Sequence, residues 1–349
     1  MDYSLFYFAD DSTASSSGRY RLLLDGAKFA DDNGFVAVWT PERHFHPFGG
    51  LYPNPAVTGA AVAAVTSRVG VRAGSVVAPL HHPVRIAEEW SVVDNLSDGR
   101  VGLSFASGWH AGDFALAPEK YQDRKRLLGE TVAQVRSLWR GEPLSVVDGA
   151  GSATSIRLYP PPVQPELPVW TTSAGSTATF RAAGAAGTGV LTHLLGQESA
   201  QLRANIAEYR SEHLAAHGSP GHVVLMVHAF LGDDPDEVRE VVREPLVEYL
   251  KSSFHLIAGS AASVGAGFDP ARLRPSDIDF LVRRSYDRYY ETSGLFGTVE
   301  RVRPLVEAFA EAGVDELACL VDFGLPTDTV LDGLTALNRL RASSLEEAR

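Results

Sequence analysis

A single cysteine, Cys319, and only two methionines stand among the 349 residues. One thiol excludes an internal disulfide framework and any metal cluster built from thiolates. It lies in Glu316-Leu317-Ala318-Cys319-Leu320-Val321, an apolar run that reads as buried strand, so the thiol is expected to be inert. Basic charge is scarce as well: 31 Lys and Arg face 43 Asp and Glu, a net charge of −12. Nucleic-acid binding needs a basic face that displaces counterions, so none is expected. Long apolar runs are missing, and Met1-Asp2-Tyr3 leads into a strand-like run without a basic start. Neither a membrane span nor a signal peptide is therefore expected, and a cytoplasmic location is. No glycine fingerprint follows the first apolar run, where Ala9-Asp10-Asp11-Ser12 stands, which disfavours an open dinucleotide-binding sheet.

What is present is alternation. Short apolar runs bounded by Gly, Pro or Asp predict strands near 3–9, 35–40, 69–77, 101–106, 168–172, 189–192, 222–230 and 317–322. Helical patterns lie between them, among them 19–33, 83–97, 120–140, 198–216 and 298–312. In 83–97, Val84, Ala87, Trp90 and Val93 recur with a period near 3.6 and Gly99 follows as a stop. Strand–helix units with nearly continuous apolar strands predict a parallel sheet covered on both faces, and closure into a (β/α)8 barrel is the economical topology. The whole chain, 1–349, reads as one domain with two long insertions. Residues 107–167 hold a helix and then a Gly/Ser- and Pro-rich stretch able to form a hairpin of 144–148 with 155–158. Residues 251–297 include the flexible-looking Ala258 to Gly267 and are expected to form a mobile lid.

In such a fold the chemistry sits at the C-terminal strand ends. After the second strand comes Pro41-Glu42-Arg43-His44-Phe45-His46, before a helix that Asn54-Pro55 opens. The third strand contains Gly74-Ser75 and leads to His81; the fourth is followed by Ala106-Ser107-Gly108-Trp109-His110. The fifth leads into Ser173-Ala174-Gly175-Ser176-Thr177 and the sixth into Thr192-His193-Leu194-Leu195-Gly196. Five of the eleven histidines, 44, 46, 81, 110 and 193, thus share one end of the predicted barrel. The 173–177 stretch offers small residues, free amides and a helix dipole, which suit either an anion or simple capping. Tyr121 and Arg124 face either the pocket or solvent. A metal site of His44, His46, His193 and Asp322 is a weaker reading, because the His-x-His lies past its strand and no carboxylate ends the fourth. A site needs three or four convergent ligands, and no metal is expected.

Taken together, Glu42 to Pro55, Pro79 to Arg100, Ser104 to His110, Thr192 to Gln197 and Thr292 to Gly297 resemble the bacterial luciferase-like superfamily of flavin-dependent monooxygenases. The nearest likeness is to its branch in natural-product biosynthesis, including polyketide and nonribosomal peptide assembly lines. That resemblance covers nearly the whole chain and implies a (β/α)8 barrel holding FMN. It implies a non-prolyl cis peptide at Gly74-Ser75 beneath the flavin, Ala106 and Ser107 beside its reactive carbon, and a phosphate site at Ala174, Gly175, Ser176 and Thr177. Phe8, Tyr121, His193 and Gly196 are further implied contacts. Many members show Glu-His-His after the second strand, the first His serving oxygen chemistry; Arg43 holds that place here and His44 the next. Luciferase itself has a cysteine where Ala106 stands.

The implied activity is oxygenation of a natural-product intermediate by reduced FMN and dioxygen, as hydroxylation or Baeyer–Villiger insertion. Reduced FMN is expected from a separate reductase, and the substrate either free or tethered to a carrier protein. His44 is the expected acid/base, with Arg43 stabilising an anion and His46 and His110 as further candidates. A deazaflavin-dependent hydride transfer and a non-catalytic flavin-binding barrel are the alternatives. The resemblance also implies a homodimer packed through 55–67 and 83–97.

Overall fold

The computed structural model describes residues 1–9, 18–195, 197–262 and 274–346. Its strands, in chain order, are β1 (Asp2–Phe6), β2 (Ala37–Thr40), β3 (Gly70–Val77), β4 (Val101–Ala106), β5 (Leu144–Val147), β6 (Ala153–Ile156), β7 (Val169–Ser173), β8 (Gly189–His193), β9 (Val223–Leu231), β10 (Leu295–Gly297) and β11 (Glu316–Leu320). Eight of them close a parallel ring in the order β1-β2-β3-β4-β7-β8-β9-β11, with β11 pairing back onto β1. This is the (β/α)8 barrel that the alternating pattern predicts. The short β10 pairs with the far end of β9, through Ala229–Leu231.

The helices are α1 (Arg21–Asn33), α2 (Pro55–Val65), α3 (Pro83–Ser97), α4 (Arg124–Trp139), α5 (Thr177–Ala185), α6 (Ser199–His217), α7 (Pro235–Ala262), α8 (Pro275–Thr292), α9 (Val299–Glu311) and α10 (Thr327–Glu346). None of the described helices is long and apolar enough to cross a membrane. Local chemistry sets their limits. Asn54 caps α2 by accepting from the amides of Ala56 (2.9 Å) and Val57 (3.2 Å), with Pro55 at the first helical position. Gly34, at φ 74°, ends α1 in the left-handed region that a glycine enters without penalty.

Strand register shows which side chains line the interior, because paired residues of a parallel sheet share a face and alternate residues repeat it. Ser4, Trp39, Arg72, Trp170 and Glu316 meet at the floor. Glu316 Oε2 accepts from Arg72 Nη1 at 2.7 Å and Oε1 from Trp39 Nε1 at 3.0 Å; Ser4 Oγ also donates to Oε1. The Arg72 guanidinium lies 5.0 Å from the Trp39 ring centre and 4.7 Å from that of Trp170, a stacked cation between two indoles.

Several sequence expectations need correction. Strand β1 stops at Phe6, not residue 9: the Tyr7 amide still reaches the Trp39 carbonyl at 3.1 Å, but the Phe8 amide turns to the Asp322 side chain. Strand β11 stops at Leu320. The hairpin pairs 144–147 with 153–156, two residues from the expected register, since Asp148 to Ser152 make the tight turn. The 107–167 insertion is pinned to the barrel, with Asp94 Oδ2 accepting from the amides of Val163 (2.7 Å) and Gln164 (3.0 Å). Around the expected lid, 251–262 continues α7 and 275–292 forms α8, so both flanks are helical, not irregular. Residues 263–273 of that stretch lie outside the described residues.

Arg72→Leu leaves the Glu316 carboxylate buried without its partner. It is expected to destabilise the fold by about 3–5 kcal/mol in denaturant titration, and Arg72→Met with Glu316→Leu to recover most of that loss.

Candidate active site

The turn after β2 is built around Glu42, whose side chain is wholly buried. Its Oε2 accepts from the Val77 amide at 2.7 Å, and its Oε1 from His44 Nε2 at 2.8 Å and His81 Nε2 at 2.6 Å. A carboxylate only accepts, so both imidazoles present N–H to it. Burial alone would raise the Glu42 pKa, but the bonds from His44 and His81 outweigh it and hold the carboxyl below its ordinary value. For His81, burial works downward, and the bond to Glu42 and its charge overcome it and raise the imidazole. Glu42, His44 and His81 are the only three His, Cys, Asp or Glu side chains among the described residues whose ligand atoms lie within 4.8 Å of one another. A metal there would have to replace both N–H protons. His46, His193 and Asp322, the other members of the metal layout considered from sequence, do not join the group.

Arg43 is buried, and its Nη1 pairs with both carboxylate oxygens of Asp113, which stands in the short 3-10 turn 111–116 after β4. The guanidinium lies 5.7 Å from the Trp109 ring centre. Its Nε and Nη2 have no hydrogen-bond partner among the described residues. His110 sits 3.7 Å from Asp113, too far for a hydrogen bond; burial and then the Arg43 charge lower its pKa. His46 turns back on its own loop, with Nδ1 accepting from the Phe48 amide at 3.0 Å. An open cleft of about 430 Å³ is lined by Arg43 to Pro47, Gly50 and Pro53. It shares no lining residue with the other strand-end groups.

Those groups gather at the barrel mouth. The Gly74–Ser75 peptide bond is cis. A Cβ at Gly74 would stand 2.6 Å from Phe6 Cε2, so only glycine fits. Ser75 and Ser104 both hydrogen-bond the Thr172 hydroxyl, the latter at 2.6 Å. Ala106 ends β4 and Ser107 follows it, both half-buried. Phe8 is fixed by Asp322, whose Oδ1 accepts its amide at 2.6 Å while Oδ2 accepts from Tyr52 at 3.0 Å. Burial pushes the Asp322 carboxyl up to about 7 despite those bonds.

At the end of β7, Ala174, Ser176 and Thr177 are exposed and Gly175 has φ 108°. Ser176 caps α5, its Oγ accepting from the Thr179 amide at 3.4 Å, and Thr177 Oγ1 donates to Asn205 at 2.7 Å. The Ser173 hydroxyl is buried without a partner among the described residues. His193 ends β8 on the interior face, and burial pushes its pKa down to about 4. Tyr121 lies before α4, packed at 5.0 Å on Phe114 in a small satellite core and covered by Arg124. Gly196 lies outside the described residues.

The sequence pattern described as luciferase-like monooxygenase matches residues 1–316. The chain belongs to that family. The oxygenase component of a flavin-dependent trigonelline monooxygenase from Acinetobacter baylyi is 22% identical over 333 residues, 93% of this chain and 90% of that protein. The oxygenating constituent of 3,6-diketocamphane monooxygenase from Pseudomonas putida, a type II Baeyer–Villiger enzyme solved with FMN, superposes with a TM-score of 0.75 at 18% identity over 97% of each chain. An F420-dependent secondary alcohol dehydrogenase superposes with a TM-score of 0.71 at 19% identity, over 98% of this chain and 99% of that one. Membership of this monooxygenase family makes the protein a flavin-dependent enzyme, and the non-catalytic alternative falls.

The residues of this luciferase-like barrel suit a phosphorylated flavin. The exposed Ala174, Ser176 and Thr177 at the α5 start, a glycine at φ 108° and the unpartnered Ser173 hydroxyl are the kind of groups that suit an anion. Sequence reasoning missed Asp113, the partner of Arg43, because no local pattern links residues 70 positions apart. It also passed over His228, which reads as one polar residue inside an apolar strand.

His81 has a raised pKa in the folded state, so its contribution to stability is complete below its ordinary 6.5 and is lost as pH rises through the higher folded value. The melting temperature of wild type relative to His81→Gln is accordingly expected to be about 2 °C higher at pH 6 than at pH 9.

Proposed function

We propose that the protein is the oxygenase half of a two-component FMN-dependent monooxygenase that oxygenates a natural-product intermediate, by hydroxylation or Baeyer–Villiger insertion. The observation that carries this reading is the exposed helix start Ala174–Thr177 at the mouth of a barrel of this family. Reduced FMN, delivered by a separate reductase, supplies the electrons that activate dioxygen for transfer of one oxygen atom to the substrate. Gly175, Ser176 and Thr177 with Ala174 hold its phosphate. Gly74, Ser75, Ala106, Ser107, Phe8 and His193 would contact its ring. Tyr121, which Phe114 and Arg124 enclose, and Gly196, which lies outside the described residues, are contacts implied by the resemblance alone.

His44 is the acid/base. Its Nε2–H is committed to Glu42, which leaves Nδ1 as the atom that takes up or gives back the proton. Arg43 keeps two donors, Nε and Nη2, for a developing or bound oxygen acceptor, while Asp113 cancels its net charge. The substrate arrives free or on a carrier protein. Helices α7 and α8 cover one side of the mouth: Tyr249 of α7 packs on Phe48 at 4.9 Å and on His228 at 4.9 Å. Such cover excludes water during oxygen transfer.

The working unit in this reading is a homodimer. On α2 and α3, Val57, Val92 and Leu96 are exposed, while Val62 and Ala63 turn inward to the core. Val57→Arg with Leu96→Arg is expected to convert a dimer to a monomer in light scattering; an unchanged mass would refute the interface.

Ser176→Asp tests the flavin site. Aspartate caps a helix as well as serine does, so the fold is kept, but its charge opposes a phosphate. FMN affinity is expected to fall at least about tenfold while riboflavin, which lacks the phosphate, binds as before. The F420-dependent relative keeps deazaflavin chemistry as the second reading. Wild type is expected to consume dioxygen with reduced FMN. Turnover with a reduced deazaflavin and no oxygen uptake with FMN would reverse the assignment.

A further inference from the structure

His228 lies on β9, and its ring is fully buried. The β9 register pairs Met226 with His193 on one side and His228 with Leu320 on the other. Leu320 pairs in turn with Phe6, and Phe6 with Trp39, whose indole reaches across the barrel floor. His228 is therefore an interior residue of the mouth layer, on the same face as His193 and two residues beyond the latter's partner. None of the residues assigned above to flavin or to proton transfer includes it.

Its surroundings fix its hydrogen-bonding state. Nδ1 lies 2.7 Å from the Tyr289 hydroxyl of α8, and His228 is the only hydrogen-bond partner of that hydroxyl among the described residues. Burial holds the phenol protonated, by raising its pKa, and the imidazole uncharged, by pushing its pKa down to about 3. An imidazole nitrogen accepts better than a phenol oxygen, and donation from Nδ1 would leave both the phenol hydrogen and the Nε2 lone pair buried without partners. The favoured arrangement therefore has the phenol O–H donating to Nδ1 and the ring hydrogen on Nε2. That Nε2 is buried and has no partner among the described residues. Three aromatic rings pack edge-on to the imidazole: Tyr249 at 4.9 Å, Tyr289 at 5.5 Å and Phe323 at 5.7 Å. Phe48 and Phe8 continue the apolar wall beyond Tyr249. A lone, oriented N–H donor inside an aromatic wall asks for an uncharged ligand with one oxygen acceptor.

We propose that His228, oriented by Tyr289, is a specificity-determining residue that donates its Nε2–H to the carbonyl oxygen of a ketone substrate. This rests on the oxygenase reading above and narrows it to neutral, largely apolar ketones. Tyr289 is a positioning residue, since it acts only by fixing the proton on Nε2.

The test uses the intact protein with oxidised FMN and matched ligand pairs, 1-tetralone against tetralin and 2-undecanone against undecane, with dissociation constants from calorimetry. His228→Leu is expected to lower the preference for ketone over hydrocarbon about tenfold, the loss of one buried hydrogen bond. His228→Asn, which keeps an N–H donor, is expected to retain most of it. Tyr289→Phe keeps the fold's aromatic contact but frees the tautomer, and is expected to lower the preference severalfold. It carries the comparison if His228→Leu does not fold. Equal preferences in wild type and variants, or a wild type that binds neither ketone, would overturn the proposal. The measurement needs neither reductant nor oxygen. Ketone selectivity through His228 without oxygen uptake would sink the oxygenase reading alone, and oxygen uptake with unchanged selectivity this one alone.

Discussion

Glu316 at the barrel floor is the group on which the rest of the structure depends. A buried carboxylate persists only where a cation and hydrogen bonds replace its lost hydration. Here Arg72 of β3, Ser4 of β1 and Trp39 of β2 supply them. Trp170 of β7 completes the layer by stacking on Arg72. Five strands are thereby locked in one register. A slip of one residue in any of them would turn its inward set outward. The mouth layer inherits its geometry from this floor: Gly74 stands two residues above Arg72, Thr172 two above Trp170, and both reach the height at which Ser75, Ser104 and Thr172 join hydroxyls.

Charge is handled differently at the two ends of the barrel. At the floor a full ion pair is sealed. At the mouth, charge is placed at the rim and cancelled there, with Glu42 against two imidazoles and Arg43 against Asp113. The deeper mouth positions carry neutral rings and hydroxyls: His193, His228, Thr172 and Tyr289. Burial keeps both of those histidines uncharged at neutral pH. In such low-dielectric surroundings a hydrogen bond from these neutral groups is stronger than in water.

Much of this was legible in the chain because it is local. Strands β2 to β4, β7 and β8 follow from short apolar runs with Gly, Pro or Asp at their ends, and α2 from Asn54-Pro55. The cis bond falls at Gly74-Ser75, where the family resemblance put it. What escaped was non-local or disguised. Arg43 was read as stabilising an anion, and nothing near it in sequence announces that Asp113 is its partner. For Tyr121 the chain left pocket and solvent both open, and neither names Phe114 and Arg124, which enclose it in a satellite core. The end of α7 was hidden by the alanine, glycine and serine after residue 257, whose small side chains give little periodicity, whereas α8 has no alanine or glycine and its helical pattern was simply passed over. His228 was invisible for the opposite reason: a strand buried on both faces reads as uniformly apolar, so alternation could not say which way one polar residue points.

The Arg43–Asp113 clasp has a consequence for how such barrels diversify. It ties the loop after β2 to the loop after β4, so these two loops form one inherited unit although 70 residues separate the partners. A histidine restored at position 43 would strand Asp113 as a buried, unpaired anion. Replacing Asp113 alone would strand the guanidinium. Passage between a two-histidine rim and the present one therefore calls for paired change, and a loop transplanted from a relative carries its chemistry only when its counterpart travels with it.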